Sequence, residues 1–279
     1  GVIVVNYDSW TQEPCSYNVH VNVQKLATAR ADWTAKELGG KGKIAEIIGV
    51  AGTAFDTIHQ KAVDEALKKY PGIQLVAREE GQWAQPGARE AIAKIISAHP
   101  DLNGYIAQVG CWGATEKLLS LGKKMLPCAG DVSMGHLRMM LPKSSGEPGA
   151  IGLPSLAGSE TTFTGGLAFL QAYNMLKGGD AAKKQRCHET IIDPIVYTNK
   201  DLKIGDDPTR IGNVYATDYV PSVPPGFFAN FYSPLVGQGL NGSLSGNSDQ
   251  LAAPKPPEKT GGDDKVDGIA EKQAACLVP

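Results

Sequence analysis

Residues 41–83 constrain the fold most strongly, because they alternate between the two kinds of element that build a parallel sheet. The run 44–50 is mostly apolar, which predicts a strand covered on both faces. A glycine-rich turn then leads into residues 58–70, whose apolar side chains recur at helical spacing. A Pro-Gly pair at 71–72 ends this helix, and a second strand begins at Ile73. This order predicts a right-handed βαβ unit with parallel strands.

The same unit predicts where a ligand would bind. In open parallel sheets, ligands bind at the loops that follow the carboxyl ends of the strands. The corresponding loops here are 51–57 and 80–86, which follow neighbouring strands. We therefore expect these two loops to lie side by side at the functional edge of the sheet.

Similar units continue along the chain, with strand starts at intervals of 23 to 29 residues between Ile44 and Ala150. Regular spacing of this size is typical of successive βα units in one parallel sheet, so the fold class is α/β. A strand over 1–7 is expected to be buried. The remaining predicted strands are 19–22, 102–109, 125–130, 150–155 and 191–197, and the remaining helices are 23–38, 86–99, 113–122, 134–141 and 161–177.

A family resemblance rests on four segments of the central stretch. These are the Lys-Gly-Lys-Ile strand at 41–44, the Gly-Thr turn at 52–53, Ala-Leu-Lys-Lys-Tyr-Pro-Gly-Ile at 66–73 and Gly-Gln-Trp at 81–83. Together they resemble the middle of type I periplasmic solute-binding proteins, and most of all the ribose-binding-like sugar receptors of ABC importers. The similarity extends from about Gly1 to Lys200. It implies two doubly wound parallel-sheet lobes joined by a hinge of the Venus-flytrap kind.

The resemblance also implies that two or three βα units precede Gly1 in relatives, so we expect the first lobe to be only partly present. Its remnant is assigned to 1–22 and 157–187, and the second lobe to 23–156 and 188–200. Residues 201–236 are predicted to form an irregular extension. From 237 to 279, glycine, serine, proline and charged residues dominate, which is typical of a disordered tail.

Composition excludes several classes of function. The net charge of −2 argues against a nucleic-acid partner, because phosphate contacts require a basic surface. The chain has no apolar stretch long enough to span a bilayer. The first five residues lack the charged region and cleavage site of a signal peptide. This does not indicate a cytoplasmic protein, because the sequence starts inside a domain and is equally consistent with a processed or truncated product.

The five cysteines are scattered, and their spacing does not suggest zinc. We expect mostly buried free thiols, which behave as small apolar residues. A Cys111–Cys128 bridge in an oxidising compartment is the alternative.

A sugar site needs carboxylates and amides for the hydroxyl groups and an aromatic ring against a C–H face. Such side chains follow the predicted strands, and the ligand-binding candidates are Asp8, Ser9, Trp10, Asp56, Trp83, Gln108, Trp112 and Asp131. The resemblance implies sugar contacts for Asp8, Trp83 and Asp131 in particular. It also implies a ligand other than ribose, since Ser9 and Thr57 stand where many relatives have arginine.

Each candidate also has a purely structural interpretation. An aspartate at a strand end is often a turn former or helix cap. Trp10 and Trp112 suit packing better than a pocket wall, whereas Trp83 beside Gly81 suits ligand stacking. His59 is interpreted as a surface or capping residue.

The resemblance implies a non-enzymatic, monomeric, periplasmic binding protein for a carbohydrate, which needs no cofactor or metal and whose partner is an ABC permease. One alternative is the effector-sensing domain of a sugar-responsive transcription regulator. Another is an enzyme that uses Cys111, which lies between a predicted strand and helix where a thiol pKa is lowered. The sequence does not indicate which histidine would act as the base for such a nucleophile.

Overall fold

A computed structural model describes residues 2–8, 11, 16–159, 164–177, 189–192, 194–205 and 213–214. The helices are α1 (Val23–Glu37), α2 (Ala54–Leu67), α3 (Gln85–Ala98), α4 (Cys111–Ser120), α5 (Met134–Met140) and α6 (Thr164–Lys177). The longer strands are β1 (Val4–Tyr7), β2 (Ser16–Val21), β3 (Lys41–Ile48), β4 (Gly72–Glu80), β5 (Gly104–Ala107), β6 (Cys128–Gly130), β7 (Ser155–Ser159), β8 (Glu189–Ile192) and β9 (Ile195–Thr198). Two short strands, β10 (Lys203–Ile204) and β11 (Asn213–Val214), pair with each other.

The larger sheet in the described part of the chain has six strands in the order β4-β3-β5-β6-β7-β9. Its first five strands are parallel, and β9 runs antiparallel to β7. The predicted βαβ unit at 41–83 is therefore confirmed, with β3 and β4 parallel and α2 between them. Consequently the loops after β3 and β4 end at the same edge of this sheet.

Helices cover both faces of the six-stranded sheet. Ile44 of β3 belongs to an apolar cluster with residues of α1 and α2, whereas its neighbour Ala45 belongs to a cluster with residues of α3 and α4. Successive strand residues point to opposite faces, so this division follows from the strand period. It explains why β3 carries apolar residues on both faces in its carboxyl-terminal part, at Ile44, Ala45, Ile47 and Ile48.

A second sheet has the order β1-β2-β8, and its strands are parallel to one another. Helix α6 packs on β1 and β2. Within the described residues the chain passes between the two sheets three times: after β2, after β7 and after β8. Each sheet is therefore built from separated parts of the sequence.

Three predictions about strands are wrong. Strand β1 is not buried, since Val4 and Tyr7 are 46% and 57% exposed at the edge of the smaller sheet. The strand predicted over 150–155 begins only at Ser155, because Gly152 has φ 71° and Pro154 has no N–H to donate. The single strand predicted over 191–197 is two strands, β8 and β9, which belong to different sheets.

The cysteine prediction is also wrong for one pair, because Cys111 and Cys128 form a disulfide and both are fully buried. The bridge joins the first residue of α4 to the first residue of β6. Among the described residues, the helices are too short or too polar to cross a membrane. The predicted disordered tail lies outside the described residues, and so does the predicted irregular extension apart from residues 201–205 and 213–214.

Candidate functional site

Trp83 lies in the loop between β4 and α3, at the carboxyl edge of the six-stranded sheet. Its backbone and that of Gln82 have positive φ angles of 51° and 54°, a conformation that residues other than glycine rarely adopt. The indole ring lies so close to Gly49, at the end of β3, that a Cβ there would overlap it. It also meets the Phe55 ring edge-on, with ring centroids 6.0 Å apart. Neighbouring loops therefore fix the half-buried indole.

Two buried polar side chains connect to this ring. The indole Nε1–H of Trp83 donates to Gln108 Oε1 at 2.9 Å, and Gln108 Nε2 donates to Asp56 Oδ1 at 2.7 Å. Three of the predicted ligand-binding residues thus form one chain of hydrogen bonds. They come from the loops or turns after β3, β4 and β5, which are adjacent strands.

The first turn of α2 positions Asp56. Thr53 caps this helix, and its hydroxyl accepts a hydrogen bond from the Asp56 N–H at 3.4 Å. The carboxylate of Asp56 also accepts the Gly49 N–H at 3.1 Å and the Gln60 side-chain amide at 2.7 Å. A carboxylate is favourable here, because the first turn of a helix carries positive charge from its free N–H groups.

Asp131 follows β6 at the same edge of the sheet. Its Oδ1 accepts the Gly110 N–H at 2.9 Å, and its Oδ2 accepts the Ser133 N–H at 3.1 Å. Burial raises the pKa of this carboxyl, but the nearby His136 and the hydrogen bonds from Ser133 and Gly110 outweigh it, so the pKa lies below its ordinary value. Asp131 is therefore a buried, ionised carboxylate near the start of α5.

His136 of α5 is completely buried behind Asp131. Its Nδ1 is 2.5 Å from the Asp131 backbone oxygen, and its Nε2 is 2.7 Å from the Ser155 hydroxyl. Burial holds the pKa of His136 below its ordinary value. This histidine links α5 to β7 and supports the turn that carries Asp131.

A second buried network, which sequence analysis missed, joins β3 to the helices α1 and α2. His59 Nδ1 is 2.9 Å from Glu46 Oε1, and His59 Nε2 is 3.0 Å from Arg30 Nη1. A carboxylate only accepts and a guanidinium only donates, so the proton of the neutral ring lies on Nδ1. The interpretation of His59 as a surface or capping residue is wrong, because its side chain is fully buried.

This network, the Glu46–His59–Arg30 network, is held at both ends. Arg78 of β4 donates to Glu46 Oε2 at 2.8 Å, and Arg30 of α1 donates to the Gly158 oxygen of β7 at 2.7 Å. Burial raises the pKa of Glu46, but hydrogen bonds from His59 and Arg78 outweigh it and hold the pKa below its ordinary value. The signal in the sequence was a glutamate within the apolar run 44–48.

The other candidates are placed differently. Asp8 follows β1 on the smaller sheet, is exposed, has φ 66° and donates its backbone N–H to the Val19 oxygen. Trp112 packs over Gly135 and donates to Glu116 at 2.8 Å, with 37% of its surface exposed. Ser9 and Trp10 lie outside the described residues.

The enzyme alternative requires a free thiol at Cys111. Cys111, the proposed nucleophile, is in the disulfide with Cys128. In the ranges that the structure describes, no three His, Cys, Asp or Glu side chains are grouped so that they could hold a metal ion.

Comparison with known proteins gives a family match over residues 1–179, to the model described as periplasmic binding protein domain. The xylitol-binding protein of Mycolicibacterium smegmatis is 32% identical over 100 residues, which are 34% of this chain and 28% of that protein. The D-allose-binding periplasmic protein of Escherichia coli is 26% identical over 181 residues, covering 57% of this chain and 58% of that protein. The chain therefore matches little more than half the length of the D-allose-binding protein.

Solved structures share the fold. An ABC transporter solute-binding protein from Burkholderia graminis, solved in complex with D-arabinose, superposes with a TM-score of 0.61 at 21% identity. The superposition covers 72% of this chain and 68% of that one. The type I periplasmic-binding-protein fold implied by the sequence is confirmed, with only part of it present. On the family match over 1–179, this chain belongs to the periplasmic binding protein family.

Proposed function

We propose that this protein is a sugar receptor of an ABC importer, which binds a sugar or sugar alcohol between two lobes and presents it to a membrane permease. The observation that carries the proposal is the half-buried Trp83, held at the carboxyl edge of the sheet in a chain of this family. An aromatic face suits the C–H surface of a carbohydrate, whereas its hydroxyl groups need acceptors such as Asp131.

In this proposal Trp83 and Asp131 contact the ligand from the six-stranded sheet, and Asp8 contacts it from the smaller sheet. Ser9, Trp10 and Trp112 remain candidates for ligand contact. Ligand contact with both sheets would favour a closed arrangement, which the permease would recognise. The names of relatives support this ligand class, since they include D-allose, D-apiose and xylitol receptors.

The same proposal assigns a periplasmic location, a monomeric state and no enzymatic activity. The buried disulfide supports an oxidising compartment, because such bonds persist in secreted and periplasmic proteins and are rare in the cytosol. One curated relative is named a periplasmic protein.

Thermal unfolding and tryptophan fluorescence with D-allose, D-apiose, D-arabinose and xylitol test the proposal. We expect at least one of them to raise Tm and to change the emission of Trp83. The Trp83→Leu variant should lose both responses. The matched control is Trp33→Leu, since Trp33 of α1 is partly buried against the apolar cluster of α1 and α2, and its replacement should leave binding intact. Absence of any response to all four compounds in the wild-type protein would contradict the proposal.

A further inference from the structure

We propose that Asp56 and Gln108 are positioning residues, which hold the Trp83 indole in the orientation that meets ligand and do not themselves bind it. This inference rests on the proposed function and narrows the set of contacts predicted from the sequence. The three hydrogen-bonded residues are here called the Asp56–Gln108–Trp83 chain. Of its members, only Trp83 contacts ligand in this proposal.

The first argument is the direction of the hydrogen bonds. Gln108 accepts from the Trp83 indole with its oxygen and donates to Asp56 with its nitrogen. A flipped amide would set a donor against the indole N–H and an acceptor against the carboxylate, so only one orientation satisfies both partners. The Asp56 oxygen thus fixes the amide, and the amide fixes the indole.

The second argument is that Asp56 has little left to offer a ligand. Its carboxylate accepts from the Gly49 N–H, the Gln108 amide and the Gln60 amide, and only 1% of the residue is exposed. Gln108 is 2% exposed. Buried carboxylates need such donors, because burying the charge without them is costly. Asp56 therefore completes its hydrogen bonding within the protein.

The third argument concerns the ring itself. Its N–H is already used by Gln108, the ring lies against Gly49, and the Phe55 ring packs nearly perpendicular to it. What remains of the half-buried ring for a ligand is carbon surface, which suits C–H groups and has no donor to offer a hydroxyl. We therefore infer that the Trp83 subsite selects an apolar face of the sugar and discriminates by shape.

Hydrogen exchange of the Trp83 indole N–H in the ligand-free protein tests the chain independently of the proposed function. The indole signal is assigned by its disappearance in Trp83→Phe. We expect this N–H to be protected in the wild type and to exchange at least tenfold faster in Gln108→Met. Gln74→Met is the matched control, because Gln74 is exposed on β4 and its replacement should change nothing. Equal exchange in Gln108→Met and wild type would overturn the proposal.

Two substitutions of Asp56 separate positioning from direct contact. Asp56→Asn keeps an oxygen that can accept from Gly49 and Gln108, so indole protection and the Kd for a sugar that binds the wild type should stay within about threefold. Asp56→Ala removes the acceptor, and both should change about tenfold or more. A large loss of affinity in Asp56→Asn with unchanged indole protection would show that the carboxylate binds ligand, and would refute the inference. If no sugar binds the wild type, the proposed function fails, while the exchange measurement still decides whether the chain holds Trp83.

Discussion

The ring of His59 and the carboxylate of Glu46 are hydrogen-bonded at 2.9 Å, and both side chains are fully buried. His59 lies in the second turn of α2, and its ring stacks on that of Phe55 in the first turn, with centroids 6.0 Å apart. Because Phe55 in turn meets Trp83, a buried charge network supports the aromatic side of the candidate site.

Acid should destabilise the protein through its buried histidines. Burial lowers the pKa of His59 and of His136 below the ordinary 6.5. As the pH falls, the histidines therefore bind protons in the unfolded chain before they do so in the folded protein. Their contribution to the free energy of unfolding is fully present above about pH 6.5 and declines below it. We expect the urea midpoint to fall between pH 6.5 and 5, and to fall less steeply in His59→Gln than in wild type. The control His99→Gln should retain the wild-type slope, and a His59→Gln slope as steep as that of wild type would contradict the assignment.

Glu46→Gln should be strongly destabilising. It removes the carboxylate that accepts hydrogen bonds from both Arg78 and His59. Removing one partner of a buried pair costs about 3 to 5 kcal/mol of unfolding free energy. Urea unfolding at pH 7.5 measures the loss. Glu65→Gln is the matched control, since its ion pair with Lys68 is exposed and its loss should leave the urea midpoint unchanged. A similar effect from both substitutions would argue against a buried network.

Reduction should weaken the fold. The disulfide closes a loop between residues 17 positions apart, which corresponds to about 3 kcal/mol from the restricted unfolded chain. We expect dithiothreitol, present throughout unfolding and refolding, to lower the urea midpoint of wild type. The double variant Cys111→Ala/Cys128→Ala should match reduced wild type and ignore the reductant. A reductant effect that persists in this variant would mean that another bond is responsible.

Gly49→Ala should displace the Trp83 indole. A Cβ at residue 49 would overlap the ring, and forcing extra volume into a packed site typically costs about 1 to 3 kcal/mol. Near-ultraviolet circular dichroism reports the change in ring environment, and urea unfolding reports the cost. In a Trp83→Ala background the same substitution should cost much less, because the obstructing ring is gone. Equal costs in both backgrounds would exclude this contact.

The sequence predicted the parallel sheet well, because alternating strands and helices leave local signals. The turn at 71–72 and the apolar stretch of β3 illustrate this, and both elements lie close to their predicted places. The edge position of β1 and the division of 191–197 between two sheets depend on strand partners distant in sequence. No local pattern carries that information.

The candidate site was predicted less completely. Strand ends identified Asp56, Trp83 and Gln108, but not the hydrogen bonds that join them. Pairing Glu46 with His59 and Arg78 requires contacts across 13 and 32 residues, which spacing alone does not specify. A glutamate inside a buried strand must find such partners, so its presence was the usable signal.

The three passages of the chain between the two sheets have a consequence for proteolysis. A single peptide-bond cleavage in one passage divides the chain into two fragments, but the other two passages still link the two sheets covalently. Such a nicked molecule would keep its size under native conditions and would separate into fragments only after denaturation.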